Sequence, residues 1–214
     1  MEIAIVDVGL GNLRSVERAL VRAAEDARIS ANVAITHDVD AIARADKVVV
    51  PGQGAFRDCA RALDGRDGGG LGEAVRASVR SGKPYLGICL GMQVLFGSSE
   101  EAPGCTGLAL FDGEVTRLAD RAPDGEALKI PHIGWNTADV VAGKSALLPS
   151  SPAHFYFVHS FAVRPRDPSL VAATTTYGAA FVSAIAKDNV LAVQFHPEKS
   201  QAEGLALLAR FLQT

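Results

Sequence analysis

The sequence predicts an α/β protein with a doubly wound, mostly parallel sheet that carries helices on both faces. Its first half alternates short apolar runs with helical spacing: residues 3–8, 31–36 and 47–50 read as strands, and 13–24 reads as a helix. Strands and helices in that order favour parallel pairing through right-handed crossovers. After residue 97 the chain becomes rich in Val, Ala, Phe and Thr, with Gly, Pro and Asp between the apolar runs. That pattern predicts additional antiparallel β structure in the C-terminal half.

The length of the chain and its lack of a linker favour a single domain over residues 1–214. The chain is long enough for one ample core, and no linker-like stretch divides it. Residues 202–212 predict an amphipathic closing helix with Leu205, Leu208, Ala209 and Leu212 on one face. The Gly-rich stretch 64–70 predicts a surface loop, either a plain connector or a movable lid.

Charge and cysteine usage narrow the class of protein. A formal net charge of -3 without a basic run gives no reason to expect a nucleic-acid partner. Cys59, Cys89 and Cys105 are odd in number and far apart, which argues against a disulfide framework or a cysteine-based zinc site. No apolar run reaches the roughly 18 residues of a membrane span, and the chain opens directly on a strand. We therefore expect a cytoplasmic protein without a membrane partner.

The stretch around Cys89 predicts a nucleophile on a sharp strand-to-helix turn. Residues 87–91 read Gly-Ile-Cys-Leu-Gly, between an apolar strand at 85–88 and the opening of a helix at 90–96. Such a turn lifts the nucleophile clear of the sheet edge and places its thiol at a helix N-terminus, where thiolate is favoured. The alternative is a buried structural cysteine in a Gly-rich turn.

A cysteine nucleophile needs a base and a group that orients this base. His196 is the best placed of the five histidines, because it directly follows the apolar strand 190–195, whose carboxyl end belongs to the edge where α/β sites form. Glu198, two residues on, points to the same side in an extended segment. Cys89, His196 and Glu198 are therefore a candidate triad. The alternative for His-Pro-Glu is a surface turn, and no histidine spacing predicts a metal site.

Acyl transfer also needs donors for the developing oxyanion. The backbone N–H of Leu90, which follows the nucleophile, is one candidate. The loop 51–54, Pro-Gly-Gln-Gly, is the second, because its glycines let backbone amides approach a ligand closely. An ordinary tight turn is the alternative. The partial pattern Gly9-x-Gly11 lacks the third glycine of a dinucleotide loop and is rejected as a cofactor site.

Together these motifs resemble those of the class I (triad) glutamine amidotransferases. The matching residues are the elbow 87–93, Pro51-Gly52-x-Gly54 and Gln-Phe-His-Pro-Glu at 194–198. Four further stretches narrow the resemblance to the glutaminase subunits of imidazole glycerol phosphate synthase: 7–16, 131–136, 156–161 and 196–200. The resemblance runs nearly end to end. Val8 stands where a tyrosine is frequent, and Gln53 where a valine is.

The resemblance implies a glutaminase that works with a partner. Such a subunit hydrolyses L-glutamine to glutamate and ammonia, and passes the ammonia to a cyclase subunit with a (β/α)8 barrel. The heterodimer makes imidazole glycerol phosphate in histidine biosynthesis, and the glutaminase subunit uses no cofactor and no metal. A closed passage suits this chemistry, because ammonia is mostly protonated in neutral water.

The resemblance also implies a role for individual residues. Cys89 attacks the glutamine amide, His196 acts as general base and then general acid, and Glu198 orients it. The oxyanion and substrate positions are Gly52, Leu90, Gln93, Ser160 and Phe161. The positions facing the partner subunit are Asn12, Trp135, Tyr156 and Lys199. For Gln93 the alternative is an exposed helix residue, and for Trp135 it is a buried core tryptophan.

Three other functions remain compatible with these residues. One is a class I glutaminase serving another synthase, of the anthranilate or GMP type. A second is a regulatory subunit that keeps the fold without the chemistry. A third is a stand-alone cysteine hydrolase or peptidase with the same elbow.

Overall fold

The computed structural model describes residues 1–64 and 70–214. The Gly-rich loop expected at 64–70 therefore lies, apart from its two end residues, outside the described part of the chain. The strands are β1 (Glu2–Val6), β2 (Asn32–Thr36), β3 (Lys47–Gly52), β4 (Tyr85–Cys89), β5 (Gly113–Arg117), β6 (His132–Val140), β7 (Ala153–His159), β8 (Phe161–Pro165), β9 (Val171–Tyr177), β10 (Ala179–Lys187) and β11 (Val190–Val193). The helices are α1 (Leu13–Asp26), α2 (Val39–Arg44), α3 (Phe56–Asp64), α4 (Leu71–Arg80), α5 (Leu90–Gln93) and α6 (Gln201–Gln213), with short 3-10 helices at Pro168–Leu170 and Pro197–Lys199.

Within the described residues, nine strands form one sheet in the order β2-β1-β3-β4-β11-β10-β9-β6-β7. The strands from β2 to β11 pair in parallel, and those from β11 to β7 pair antiparallel. Strands β5 and β8 form a separate antiparallel pair. The predicted α/β sheet with antiparallel additions in the C-terminal half is confirmed.

Helices cover both faces of the parallel strands, because successive residues of a buried strand point to opposite sides. In β1, Ile3 and Ile5 pack into the core that contains α1 and α6, whereas Ala4 and Val6 pack into the core that contains α2 to α5. On α6 the buried residues are Gly204, Leu207, Leu208, Phe211 and Leu212, so the apolar face is rotated relative to the predicted one. Leu205 and Ala209 only flank that core.

One predicted helix is shorter than its sequence pattern indicates, and one apolar stretch forms two strands. Helix α5 ends at Gln93 instead of continuing to residue 96. The backbone N–H groups of Leu95 and Phe96 donate to carbonyls three residues back rather than four, and the carbonyls of Val94 and Leu95 accept from the N–H groups of Leu108 and Leu110 at 2.6 and 2.8 Å. The apolar stretch 155–163 divides at Ser160 into β7 and β8, which belong to different sheets. Helix α2 and strand β6 were not predicted.

The parallel register brings three strand ends to one edge of the sheet. Gly52 of β3 lies opposite Cys89 of β4, and Ile88 of β4 lies opposite Val193 of β11. The loop after β3, the elbow after β4 and the turn after β11 therefore meet at the carboxyl edge, where ligands bind in such folds.

Candidate active site

Cys89 occupies a strained position at the junction of β4 and α5. Its φ of 54° and ψ of -107° lie in a region that non-glycine residues rarely adopt. The residue is 7% exposed, and its side chain lines a cavity. Such strain persists only where the surroundings determine it, and it concentrates at functional sites.

The flanking glycines have no room for a side chain. A Cβ on Gly91 would lie 1.7 Å from the carbonyl oxygen of Val50, and one on Gly87 would lie 2.7 Å from that of Gly91. Real Cβ atoms do not approach backbone this closely. The Gly-Ile-Cys-Leu-Gly pattern therefore reflects the close approach of α5 to strand β3 as well as the turn itself.

His196 and Glu198 form a buried pair on the turn after β11. The Nδ1 atom of His196 lies 2.8 Å from Oε1 of Glu198, and both side chains are 2% exposed. The backbone N–H of His196 donates to Tyr156, and the hydroxyl of Ser200 donates to the carbonyl of His196 at 2.6 Å. These bonds hold the turn against β7. The reading of His-Pro-Glu as a plain surface turn is wrong.

The protonation of His196 depends on Cys89 and Glu198. Burial lowers the pKa of His196, but the nearby Cys89 sulfur and the hydrogen-bonded Glu198 carboxylate outweigh it and raise the pKa to about 10. Although Cys89 contributes to this shift, Nε2 of His196 has no partner with hydrogen-bond geometry among the described residues. We therefore ascribe the effect of Cys89 to the proximity of its sulfur rather than to a formed bond. The arrangement favours an imidazolium beside the sulfur.

A cavity of about 330 Å³ opens beside Cys89, a size suited to a small ligand. It is lined by Gln53, Gly54, Cys89, Leu90, Gln93, Glu101, Pro131, Val158, His159, Ser160, Phe161 and Lys199. Five of the sequence-predicted site residues, Cys89, Leu90, Gln93, Ser160 and Phe161, thus share one cavity with the interface candidate Lys199.

Gly52 lies behind this cavity rather than in its lining. It pairs with Cys89 across β3 and β4, and a Cβ on Gly52 would come within 2.7 Å of the Leu90 Cβ. Gly52 lines a narrow void that His196, Glu198 and Asn12 also line. The two expected oxyanion residues are therefore in close contact, while Gln53 and Gly54 after them line the main cavity.

Gln93 is neither exposed nor free. It is 4% exposed, and its Nε2 donates to the Phe161 carbonyl at 3.0 Å and to Oε1 of Gln194 at 3.1 Å. The reading of Gln93 as an exposed helix residue is therefore wrong. The residue also lines the cavity. The carbonyl of Ser160 accepts from the N–H of Leu118 at 2.9 Å, which fixes the backbone beside the cavity.

Three of the four expected interface residues form one surface cluster. Trp135 is 49% exposed, and its ring lies edge-on to Tyr156 with 6.2 Å between centroids. The Nζ atom of Lys199 lies 5.7 Å from the centre of the Tyr156 ring. The reading of Trp135 as a buried core residue is wrong. Asn12 caps α1, with its Oδ1 accepting from the backbone N–H of Ser15 at 3.2 Å.

Two features of the site were not found by sequence reasoning. Gln194 is fully buried, and its Nε2 lies 3.4 Å from the sulfur of Cys89. It stands two residues before His196 on the same strand end, and this spacing was a usable signal. Glu101 also lines the cavity, and its Oε2 accepts from the backbone N–H of Phe56 at 2.9 Å. No local motif marks that contact.

A buried pair of histidines also lies next to the cavity. Nδ1 of His132 lies 3.1 Å from Nε2 of His159, and Nδ1 of His159 lies 2.9 Å from the Phe161 carbonyl. A carbonyl only accepts, so His159 carries its proton on Nδ1 and accepts on Nε2 from His132. Burial lowers the pKa of His132 to about 4 and that of His159 to about 3. Both rings are neutral at pH 7.

This pair predicts a loss of stability in acid. In the unfolded chain both rings take up protons near pH 6.5, whereas in the folded protein they stay neutral down to about pH 4 and 3. The unfolded state therefore binds more protons below pH 6.5, and the free energy of unfolding falls as pH decreases. His196, whose pKa is raised, adds no slope there because it is protonated in both states. Urea unfolding at pH 4.5 to 8 measures the effect.

The matched variants are His132→Phe and His37→Gln. Phenylalanine keeps the stacking of His132 on Tyr177 but cannot titrate. The slope of the free energy of unfolding against pH, between pH 6 and 4.5, should therefore decrease by about 1.4 kcal/mol per pH unit. His37 is exposed, and its replacement should leave the wild-type curve unchanged. An unchanged slope in His132→Phe would contradict the assignment.

The described part of the chain holds neither a metal-binding group of side chains nor a membrane-spanning helix. Residues 1–64 and 70–214 contain no group of three or more His, Cys, Asp or Glu residues that could hold a metal ion. No helix in these ranges is long and apolar enough to cross a membrane.

Comparison with known proteins gives consistent similarities in sequence and fold. The family model for glutamine amidotransferase class-I matches residues 4–214. The imidazole glycerol phosphate synthase subunit HisH of Rhodospirillum rubrum is 45% identical over 215 residues, covering 100% of this chain and 99% of that protein. The protein of the same name from Aromatoleum aromaticum is 48% identical over 217 residues, covering 99% and 97%. A crystal structure of a glutamine amidotransferase shares the fold with a TM-score of 0.71 at 22% identity, covering 98% of this chain and 97% of that one.

Proposed function

Because the chain belongs to the class I glutamine amidotransferases, we propose that it is the glutaminase subunit of an imidazole glycerol phosphate synthase. It hydrolyses L-glutamine to glutamate and ammonia, and it supplies the ammonia to a cyclase subunit in histidine biosynthesis. Relatives named for this subunit match along nearly their whole length. The observation that carries the proposal is the 2.8 Å pair of His196 and Glu198 beside the strained Cys89 at one edge of the sheet.

The chemistry follows the movement of one proton. The thiol proton of Cys89 passes to Nε2 of His196, and Glu198 stabilises the imidazolium from the other side of the ring. The thiolate attacks the side-chain amide carbon of glutamine. His196 then protonates the amide nitrogen, the C–N bond breaks, and ammonia leaves from a glutamyl thioester. Water gives a proton back to His196 and attacks the thioester, which releases glutamate and restores the imidazolium–thiolate pair.

Backbone groups at the elbow stabilise the developing charge. The N–H groups of Leu90 and of the Gly52 region serve as donors for the oxyanion. The contact between these two residues is close enough to exclude a side chain on Gly52, which supports their acting together. Gln93 lines the cavity and helps to hold the substrate, and the backbone of Ser160 and Phe161 binds the amino-acid end of glutamine.

The partner is a cyclase subunit with a (β/α)8 barrel, and the pair forms a heterodimer in the cytoplasm. Trp135, Tyr156 and Lys199 contact this partner, and Asn12 faces the joint between the subunits. The exposed aromatic cluster supports this assignment, since buried aromatic anchors dominate protein interfaces. Residues 1–214 form one domain, in keeping with a sheet that draws strands from both halves of the chain.

A glutaminase assay with and without the cyclase and its nucleotide ligand tests the proposal. We expect weak hydrolysis by the isolated chain and strong stimulation in the complex. Robust hydrolysis by the isolated chain would favour a stand-alone hydrolase instead. Stimulation by an anthranilate or GMP synthase partner, but not by the cyclase, would favour another acceptor. Failure of Cys89 to react with an alkylating glutamine analogue, even in the complex, would favour a regulatory subunit.

Trp135→Ala is expected to weaken binding of the cyclase by about tenfold or more, as truncation of an aromatic anchor does. The indole is half exposed, so the free energy of unfolding of the isolated chain should change by less than about 1 kcal/mol. Isothermal titration calorimetry with the cyclase measures the first quantity, and urea unfolding measures the second. The control is Val21→Ala, an exposed apolar residue on α1 that should leave affinity unchanged. Equal affinities of the two variants for the cyclase would show that Trp135 does not belong to the partner interface.

A further inference from the structure

Gln194 contacts both the nucleophile Cys89 and the cavity-lining Gln93, and the triad mechanism gives it no role. It follows β11 directly, is 0% exposed, and its backbone N–H donates to the Ser183 carbonyl at 2.9 Å. Its Nε2 lies 3.4 Å from the sulfur of Cys89. A polar side chain buried this completely must satisfy its own hydrogen bonds, so its partners are informative.

The neighbouring groups determine which end of the Gln194 amide faces the sulfur. The carbonyl of Phe161 only accepts, so the atom of Gln93 that contacts it at 3.0 Å is the NH₂ group. That NH₂ group is also 3.1 Å from Gln194, which must therefore present its oxygen to it. The NH₂ group of Gln194 is left to point at the sulfur. The network itself thus sets the amide orientation.

The Phe161 carbonyl, to which Gln93 donates, is held by a second donor. The Phe161 carbonyl accepts from His159 as well as from Gln93, and His159 is in turn held by His132. Gln93 donates to the Phe161 carbonyl and to the oxygen of Gln194, and the NH₂ group of Gln194 donates to the sulfur of Cys89. A positioned N–H donor favours the charged form of the atom that accepts it.

We propose that Gln194 is a further catalytic residue, whose side-chain amide donates a hydrogen bond to the Cys89 sulfur and stabilises it as thiolate before and after attack. This proposal rests on the proposed function for its biological meaning. The donor faces the sulfur from the strand that carries His196, so one strand end supplies both the acid–base group and the thiolate donor. Hydrogen bonds to charged groups contribute about 1.5 to 3 kcal/mol, which corresponds to roughly tenfold or more in thiolate population.

Alkylation by iodoacetamide, followed peptide by peptide with mass spectrometry, tests the donor directly because it needs no glutamine turnover. The full chain is labelled at pH 6 to 9 as wild type, Gln194→Met and Gln194→Glu. Methionine fills the space without a donor, and glutamate places an oxygen against the sulfur. We expect labelling of Cys89 at pH 7 to fall about tenfold in Gln194→Met and further in Gln194→Glu. In both variants the midpoint of the pH profile should move upward.

Two internal references separate the proposal from general disturbance. Cys105 is partly exposed and lines a different cavity from Cys89, so its labelling rate should be the same in every variant. Ser183→Ala removes a buried hydroxyl from the strand paired with Gln194 and should leave Cys89 labelling unchanged. Folded Met and Glu variants with the wild-type Cys89 profile would overturn the proposal.

A measurement on unmodified Gln194 covers the case in which the substitutions unfold the chain. The side-chain NH₂ resonances of Gln194 in the wild-type protein should shift as the Cys89 sulfur titrates, and this shift should be absent in Cys89→Ala. Gln194 resonances that do not shift as the Cys89 sulfur titrates would overturn the proposal. If the donor effect is found but the complex hydrolyses no glutamine, the proposed function fails while the role of Gln194 toward the sulfur stands.

Discussion

Cys89→Ala is expected to abolish glutamine-dependent turnover of the complex while added ammonium salts still support the cyclase. Without the nucleophile no covalent intermediate can form. Removal of such a group lowers turnover by more than about 10³-fold. The side chain is small and lines the cavity, so alanine should leave the fold and the partner surface intact. Ammonium-dependent cyclase activity should stay within about twofold of wild type, because that reaction bypasses the amide-splitting step.

Cys105→Ala is the matched control. It changes another cysteine that is only partly buried, and both the glutamine-dependent and the ammonium-dependent activities should stay at the wild-type level. Loss of both activities in Cys89→Ala would indicate a damaged fold or interface rather than a missing nucleophile. Retention of glutamine-dependent turnover in that variant would contradict the assignment of Cys89.

Gly91→Ala is expected to cause the largest loss of stability of any single methyl addition near the site. The new Cβ would lie 1.7 Å from the carbonyl oxygen of Val50, and a strand in the centre of the sheet cannot move aside without breaking its pairing. Overpacking against backbone costs about 3 kcal/mol or more, which lowers Tm by roughly 6–12 °C for a chain of this size. Thermal unfolding followed by circular dichroism measures the change.

Gly97→Ala makes the same substitution a few residues further along. There the nearest atom to an added Cβ is the Ala109 Cβ at 3.6 Å, an ordinary contact. We expect the free energy of unfolding to change by less than about 1 kcal/mol. Similar Tm values for the two variants would show that the close packing of the elbow on β3 does not constrain residue 91.

Local sequence patterns were reliable where one segment carried the information. The apolar runs 3–8 and 47–50 and the elbow at 87–91 predicted β1, β3, β4 and the turn that holds Cys89. These features depend on side-chain polarity and on glycines at positions where no Cβ fits. Both signals can be read from residues that are close together in the sequence.

Patterns failed where distant segments compete for the same backbone groups. Helix α5 ends at Gln93, and the carbonyls of the next two residues, Val94 and Leu95, accept from the backbone N–H groups of Leu108 and Leu110. The buried face of α6 includes Gly204, which lies so close to the Pro197 carbonyl that a Cβ would approach it to 1.9 Å, and apolar spacing does not mark such a position. The triad candidates themselves came from spacing and strand ends, whereas Gln194 and the His132–His159 pair needed spatial neighbours to acquire a meaning.

Neighbouring residues are enough to specify the alternation of elements, the strained cysteine turn and the residue types available for amide chemistry. Hydrophobic periodicity and the backbone freedom of glycine act over a few residues, so a local pattern carries them. The meeting of the ends of β3, β4 and β11, the burial of Gln93 and the approach of the Gln194 amide to the sulfur emerge only in the folded chain. Strand register and buried hydrogen-bond partners arise between segments as much as a hundred residues apart, and no local pattern records them.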